Sequence, residues 1–450
     1  MQVVEGFDYF PLHFDASGNL QGTLDELQTR AGSATDIIFL AHGFRNDETD
    51  ASGLYRRFLQ SFRANLSRPE LKGVAARNFA VAAVFWPSKS FSESAPSGGG
   101  GTEAADPAAE EQIALEGKIE ELKAEVSASK QANLERAQLL IPQLESDPDA
   151  QDEFAQLVLS ALDGVNLGES EGVQEVRAKR GSEVLAALRL PIILPTQMAA
   201  SAADASGSVM AVGAFLPISD ANGEGGTQGL GSFFGSIAGA AGKFVNFTTW
   251  WVMKDRSGTV GANGVAKAVR SLKTSHPNVK VHLVGHSLGG RLMAGCAKAL
   301  SNDPMVQPDS VTLLEAAFSH FGFSDNCGDG KAGFFRDVVG KKVAKGPLVA
   351  TFSSMDTVVG HVYALASRVA GDNVRALGDK DDPFGGIGRN GAQKTGESVT
   401  EALHDAGVPY SYQLGVVNNL DGSAHLITEH SDVTNERVTY AFASVVAATA

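Results

Sequence analysis

The sequence predicts an α/β protein whose mostly parallel central sheet is flanked by helices and interrupted by a large, mainly helical insertion. Short apolar runs, such as Asp36–Ala41, Phe79–Phe85 and residues 279–284, alternate with segments of helical spacing. Strands that are apolar on both faces are typical of a parallel sheet covered by helices on both sides. The alternation stops near residue 90, where the composition changes, and it resumes from Asn263.

The first part of the predicted core spans residues 1–90. Residues 7–20 have the pattern of two short strands joined at a Ser-Gly-Asn turn. The buried strand Asp36–Ala41 leads into His42-Gly43-Phe44, and residues 50–66 carry apolar side chains at helical spacing. Phe79–Phe85 is the next predicted strand, and Trp86-Pro87 ends it.

Residues 91–244 are predicted to form the insertion, a cap or lid on the core. It begins with a flexible linker rich in Gly, Ser and Pro at residues 92–101. An amphipathic helix is predicted over residues 110–144, and further helices near residues 151–162 and 173–188. The insertion holds 23 acidic and 9 basic residues, so its charge of −14 accounts for nearly all of the chain's −15.

The end of the insertion carries apolar residues at three- and four-residue steps, which predicts a second amphipathic helix. The residues that give this spacing are Leu230, Phe233, Phe234, Ile237, Ala241, Phe244 and Val245. Two interpretations stay open from the sequence. The helix either packs inside a fixed cap or belongs to a lid that opens over an apolar substrate.

The second part of the predicted core spans residues 245–450, where strands and helices alternate again. Helices are predicted over residues 264–273, 288–300, 358–369 and 435–447. Strands are predicted over residues 279–284, 310–317, 347–353 and 412–417.

The most specific motif lies between the strand at residues 279–284 and the helix that follows it. Gly285-His286-Ser287-Leu288-Gly289 fits the pattern G-x-S-x-G in a strand–turn–helix context. Because a serine hydroxyl is a weak nucleophile at neutral pH, it needs an adjacent base.

With this motif and the strand–helix alternation, the chain resembles the serine esterases and lipases of the α/β-hydrolase superfamily. The resemblance covers residues 36–89 and 244–450, and the segment between them resembles no family. It implies an α/β-hydrolase fold with Ser287 as the nucleophile, and an acid followed by a histidine later in the chain.

The resemblance implies Asp356 as the acid, because this residue follows the strand "PLVATFSS" at the place where the family keeps its acid. Glu315, after the preceding strand, is the alternative acid. The family's histidine lies between the last strand and the last helix, which favours His430 as the base. His425 remains the alternative base.

The resemblance also implies an oxyanion hole made by the backbone N–H groups of Phe44 and Leu288. His42 is expected to support the turn that carries Phe44, and His286 is expected to pack. Trp86, Phe244 and Trp250 are predicted to line the substrate site, since aromatic residues gather around the insertion.

Composition excludes several classes of partner. An acidic chain disfavours nucleic acid, and no stretch is typical of a membrane span. No cofactor or metal motif is present, and the acidic turn with Asp379, Asp381 and Asp382 lacks the spacing of a calcium loop. The N-terminal residues do not resemble a signal peptide, so we expect a cytoplasmic protein, with signal-independent secretion as the alternative. The oligomeric state is not predicted.

The sequence therefore predicts a serine hydrolase that cleaves a small-molecule or lipid-like ester through a Ser-His-Asp triad and an acyl-enzyme. Two alternatives stay open. The fold also hosts thioesterases and peptidases. A binding or assembly protein is the other alternative, with the acidic insertion as its working surface.

Overall fold

The computed structural model describes residues 2–88, 107–168, 171–189, 236–328, 330–370 and 382–449. Nine strands within these ranges form one sheet in the order β1-β2-β4-β3-β5-β6-β7-β9-β8. Only β1 and β2 pair antiparallel. The strands are β1 (Gln2–Val4), β2 (Phe7–His13), β3 (Asp36–Ala41), β4 (Phe79–Phe85), β5 (Lys280–His286), β6 (Ser310–Leu314), β7 (Leu348–Phe352), β8 (Ser398–Ala402) and β9 (Val417–Asp421). This confirms the predicted α/β class and the mostly parallel sheet.

Helices cover both faces of the sheet. In chain order they are α1 (Asp25–Ala31), α2 (Glu48–Asn65), α3 (Lys72–Ala75), α4 (Pro107–Ala124), α5 (Ala128–Leu140), α6 (Pro148–Leu159), α7 (Val173–Arg177), α8 (Gly181–Leu188), α9 (Ile237–Thr259), α10 (Ala266–Ser275), α11 (Leu288–Leu300), α12 (Arg336–Gly340), α13 (Thr357–Ala370), α14 (Ile387–Asn390) and α15 (Glu436–Ala447). A π-helical turn, Val260–Val265, joins α9 to α10. No described helix combines the length and apolar character that a membrane span requires.

Two hydrophobic clusters lie on the two faces. On one face α2 packs against α15, and Phe62 lies 5.1 Å from Phe442 between ring centres. On the other face α1, α9, α10 and α11 pack together with the helices of the insertion. Ile119 of α4, Phe154 of α6 and Trp251 of α9 belong to this one cluster and are fully buried. The insertion therefore shares its hydrophobic core with the sheet.

A buried polar group ties the insertion to the core. Glu171 follows α6 in the chain and is only 2% exposed. Its carboxylate accepts hydrogen bonds from Lys254 of α9, from the hydroxyl of Tyr363 of α13 at 2.8 Å, and from the backbone N–H of Ser319 at 3.0 Å. We call Glu171, Lys254 and Tyr363 the anchor cluster. Burial, only partly offset by the charge of Glu171, lowers the pKa of Lys254 to about 7.

The prediction of a single helix over residues 110–144 is wrong, since α4 and α5 are separate helices. The chain breaks between them at Ser127, which has extended backbone dihedrals and precedes the first residue of α5. The carbonyl of Glu125, left free at the end of α4, accepts a hydrogen bond from Arg256 of α9 at 3.1 Å. A contact distant in sequence thus stabilises the break.

The helix predicted near residues 173–188 is divided into two helices, α7 and α8.

The strand predicted over residues 412–417 is also wrong. The strand is β9, which starts at Val417, and it pairs with β7 and with the unpredicted strand β8. The sequence does not indicate β9 as a buried strand because Asn418 and Asn419 are polar, yet both side chains are only 1% exposed. Their amides bond to backbone groups, Asn418 to the carbonyl of Leu348 at 3.1 Å.

Two other predictions fall partly outside the described residues. The linker at residues 92–101 lies outside them, as do Leu230, Phe233 and Phe234. The described part of the second amphipathic helix is α9, which runs fourteen residues beyond Val245 to Thr259. At the N-terminus, Phe7–His13 is a strand, but the second predicted strand is reduced to one bridge between Phe14 and Leu20.

Candidate active site

Four parallel strands end at one edge of the sheet, and each is followed by residues predicted to act in catalysis. The His42-Gly43-Phe44 turn follows β3, and Ser287 follows β5. Asp356 comes shortly after β7, and His430 lies in the loop between β9 and α15. These strands are parallel and lie in the order β3-β5-β6-β7-β9, so residues far apart in sequence meet at this edge.

Ser287 stands on a sharp, strained turn. Its backbone dihedrals, φ 58° and ψ −125°, are rare for a residue with a side chain, at a cost of about 1–3 kcal/mol. The chain can turn so tightly because glycines allow strand and helix to touch. A Cβ atom on Gly285 would lie 2.1 Å from the carbonyl oxygen of Gly289, and one on Gly289 would lie 2.2 Å from that of Ala41.

The predicted acid and base are in direct contact. Nδ1 of His430 lies 2.8 Å from Oδ2 of Asp356, and the Asp356 carboxyl is fully buried. Its other oxygen accepts the backbone N–H of Val359 at 2.9 Å. Since Nδ1 faces a carboxylate, it carries the proton, and Nε2 of His430 keeps its lone pair. Asn435 caps α15 and bonds back to the carbonyl of Leu426, which fixes the two ends of the loop that carries His430.

His286 supports the same histidine from the other side. Its Nε2 donates to the backbone carbonyl of His430 at 2.8 Å, and the two rings lie 4.7 Å apart. Burial, and to a smaller extent a charge on His430, lowers the pKa of His286 to about 3. His286 is therefore a neutral residue that orients His430, as its predicted packing role implies.

Within the described part of the chain, neither alternative residue makes a hydrogen bond to Ser287, Asp356 or His430. Glu315 is fully buried and accepts a hydrogen bond from the hydroxyl of Thr351 at 3.1 Å. Burial and the nearby charge of Asp356 raise its pKa well above the ordinary value, so this carboxyl is neutral. His425 is exposed and has a left-handed backbone (φ 61°), and among the described residues no carboxylate bonds to its ring.

The turn after β3 lies directly against Ser287. A Cβ atom on Gly43 would lie 2.7 Å from Cβ of Ser287. His42 holds this turn with a hydrogen bond from Nδ1 to the carbonyl of Gly43 at 3.0 Å, and its ring stacks on Trp86. Burial lowers the pKa of His42 to about 4, so it is neutral and structural.

Two backbone N–H groups beside Ser287 lack acceptors. Leu288 is the first residue of α11, so its N–H has no carbonyl acceptor within the helix. Within the described part of the chain, no group accepts a hydrogen bond from the N–H of Phe44. The hydroxyl of Ser287 likewise makes no hydrogen bond to a described side chain.

A cavity of about 160 Å³ opens over the serine and the histidine. Its lining residues are Phe44, Arg45, Trp250, Ser287, Ala317, Val358, Val359, Val362, His430 and Ser431. Of the three aromatic residues predicted to line a substrate site, the structure places only Trp250 there. Phe244 is fully buried in the core. The indole N–H of Trp86 donates to the carbonyl of His42 at 3.0 Å, so Trp86 supports the turn.

Sequence reasoning missed the wall of this cavity that α13 supplies. Val358, Val359 and Val362 share one face of α13, a three- and four-residue spacing that the sequence does contain. It also missed Arg45, which lines the cavity. The available signal was its position, since it directly follows the His42-Gly43-Phe44 turn.

No metal site is evident in the part of the chain that the structure describes. No group of three or more His, Cys, Asp or Glu side chains there is arranged to hold an ion. Asp379 and Asp381 lie outside the described residues. Asp382, expected in an exposed acidic turn, is 2% exposed and accepts hydrogen bonds from Ser367 and from the backbone N–H of Phe384. Its carboxylate is thus used in folding the loop.

Comparisons of the chain with protein families, with curated proteins and with solved structures found no match. What the chain does is therefore argued from its own residues and their geometry.

Proposed function

We propose that this chain is a serine hydrolase that cleaves carboxylic esters and that its sheet is that of an α/β-hydrolase. One observation carries the proposal. Ser287, on its strained turn, shares a cavity with His430, and Asp356 holds the imidazole of His430 from behind at 2.8 Å. Along the chain the nucleophile comes first, the orienting carboxylate second and the base last, which is the order typical of α/β-hydrolases.

In the proposed first step, Ser287 Oγ attacks the carbonyl carbon of the ester and gives its proton to Nε2 of His430. Asp356 keeps the Nδ1 proton in place and stabilises the imidazolium that forms. His430 then protonates the leaving alcohol, and an acyl-enzyme remains. Water then attacks the acyl-enzyme with His430 as the base, and the carboxylic acid is released from Ser287. Apo enzymes often have a long serine–histidine distance, and substrate binding brings the two groups into contact.

The N–H groups of Phe44 and Leu288 are the proposed donors to the oxyanion. Both belong to the turns beside Ser287 and have no acceptor among the described residues, so a substrate oxygen would satisfy them. Each such donor stabilises the transition state by roughly 3 kcal/mol.

The cavity favours a small ester as the substrate. A volume of about 160 Å³ is below the size of most ligand pockets, which hold about 300 Å³ or more. Valine side chains of α13 and the ring of Trp250 give it an apolar wall. We expect a short acyl chain to be accepted and a folded peptide segment to be rejected.

The test is steady-state hydrolysis of p-nitrophenyl esters from acetate to decanoate, with a thioester and an anilide for comparison. Ser287→Ala should lower kcat by at least about 10⁴-fold, because the nucleophile is lost. Ser431→Ala is the matched control, since it removes another hydroxyl from the same cavity, and we expect less than about a threefold change. Equal rates for the wild type and Ser287→Ala would exclude the proposed function.

A further inference from the structure

The catalytic cavity contains one cation that the proposed reaction does not use. Arg45 lines the cavity together with Ser287 and His430. Its guanidinium lies 5.7 Å from the ring centre of Phe44, another lining residue. Within the described residues, no carboxylate pairs with it and no carbonyl accepts a hydrogen bond from it.

The backbone holds Arg45 in this place at some cost. Its φ of 58° is left-handed, a conformation that a long side chain adopts rarely. Its N–H donates to the carbonyl of Ser88 at 3.0 Å, which ties the turn after β3 to the segment after β4. The arginine thus projects from a fixed turn next to the predicted oxyanion donor Phe44.

The charge of Arg45 also acts on a lysine of the insertion, Lys118. Lys118 of α4 lies against α9, where a Cβ atom on Gly242 would be 3.0 Å from its Nζ. Burial lowers the pKa of Lys118, and the charge of Arg45 lowers it further. The charge of Glu121 raises the pKa of Lys118. Lys118 is therefore the weaker cation, and Arg45 supplies the positive charge that lines the cavity.

From this arrangement we propose that the enzyme prefers esters whose acyl chain carries an anionic group, which Arg45 binds while Ser287 attacks the ester carbon. The inference rests on the proposed esterase function and names its substrate class. A guanidinium binds a carboxylate or a phosphate through two parallel hydrogen bonds, and a partly buried site strengthens them. Both chemistries fit the same arginine, so the experiment has an arm for each.

Three aryl esters with six-carbon acyl chains separate these possibilities: p-nitrophenyl hexanoate, mono-p-nitrophenyl adipate and p-nitrophenyl 6-(phosphonooxy)hexanoate. The wild type should show a kcat/KM at least tenfold higher for one or both anionic esters than for the hexanoate. A preference for adipate identifies the carboxylate, and a preference for the third ester identifies the phosphate.

The Arg45→Gln variant tests the residue itself. We expect the ratio of anionic to neutral kcat/KM to fall at least tenfold, because one charge-assisted pair is lost. Arg45→Lys should keep part of the preference. Arg57→Gln, an exposed arginine of α2 outside the cavity, should leave the ratio unchanged. A wild type without a preference for either anionic ester would overturn the inference, as would a ratio that Arg45→Gln does not change.

A binding measurement separates failure of this inference from failure of the proposed function. Calorimetry with the same three esters and the Ser287→Ala variant reports recognition without turnover. If the wild type hydrolyses none of the esters, the proposed function fails. Tighter binding of an anionic ester, lost on adding Arg45→Gln, would still support the anion site. Equal binding of all three esters would overturn it.

Discussion

Two groups of buried polar residues lie close together and differ in how fully their hydrogen bonds are satisfied. In the anchor cluster, Glu171 accepts bonds from Lys254, Tyr363 and the backbone, and Lys254 also donates to the Tyr363 hydroxyl at 2.6 Å. In the proposed catalytic group, which consists of Ser287, Asp356 and His430, the aspartate and the histidine are paired, but the Ser287 hydroxyl bonds to no described side chain. Trp250 touches both groups, since it lines the cavity and lies 4.1 Å beneath the ammonium of Lys254.

The difference agrees with a structural role for the anchor cluster and with the substrate-binding role proposed for the group around Ser287. A buried polar group costs free energy unless it is paired, so complete pairing is typical of a structural role. A hydroxyl and N–H groups left without partners beside a cavity are typical of a site that a ligand completes. The comparison predicts that changes in the catalytic group mainly affect the rate, and that changes in the anchor cluster mainly affect stability.

The largest expected effect is that of Asp356→Asn on the rate. The amide removes the charge that stabilises the imidazolium and favours the wrong tautomer of His430, so kcat for the preferred ester should fall by about 10⁴-fold. Glu315→Gln is the matched control. Because Glu315 is already neutral, its isosteric amide should change kcat by less than about fivefold. Similar losses in both variants would contradict the assignment of Asp356 as the acid.

The next effect is that of Glu171→Ala on stability. The substitution leaves Lys254 buried without its anion, which should lower the free energy of unfolding by about 3–5 kcal/mol. Urea unfolding measures this value. Glu183→Ala removes an exposed carboxylate from α8 and should cost less than about 0.5 kcal/mol. A small loss in Glu171→Ala, or a loss equal to that of the control, would show that the insertion is not anchored through this residue.

The packing of the insertion also bears on the question of a lid. Its helices share one hydrophobic cluster with α9 and α11, and Glu171 holds the chain between α6 and α7 against α9 and α13. Removal of residues 91–242 would expose this cluster to water. We therefore expect such a deletion to unfold the core, which makes the substitution at Glu171 the sharper test.

The smallest expected effect concerns the pH dependence of stability. The pKa of His286 is about 3 in the folded chain and ordinarily 6.5, so below pH 6.5 the unfolded chain binds a proton that the folded chain does not. This residue therefore lowers the free energy of unfolding by up to about 1.4 kcal/mol per pH unit as the pH falls. His286→Gln keeps a donor for the carbonyl of His430 and removes the pH dependence of stability that His286 causes. Urea unfolding at pH 6, 5 and 4 should show that the free energy of unfolding falls less steeply with falling pH in the variant than in the wild type.

Much of the core could be predicted because its strands are short and apolar. β3, β4 and β5 are such runs, and the glycines around Ser287 mark the turn. β9 could not be predicted in this way, because Asn418 and Asn419 are buried but polar. The anchor cluster was also hidden, since Glu171 lies 83 residues from Lys254 and 192 from Tyr363 in sequence. Only the fold brings their charges together.

Aromatic composition was a poor guide to the cavity for a related reason. Trp86, Phe244 and Trp250 are all large, apolar and near the insertion, and a sequence does not say which face each side chain takes. Their hydrogen bonds and burial separate them. Trp86 bonds to the turn after β3, Phe244 fills the core, and of the three only Trp250 lines the cavity over Ser287.

The most direct test of the central claim is covalent labelling with a fluorophosphonate, followed by intact-mass measurement and peptide mapping. An activated serine should take up one phosphonyl group per chain, on the peptide that contains Ser287, and Ser287→Ala should take up none. His430→Gln should slow the labelling strongly, because the base is lost. An unlabelled wild type, or a label on another residue, would contradict the proposal that Ser287, His430 and Asp356 form an acyl-transfer site.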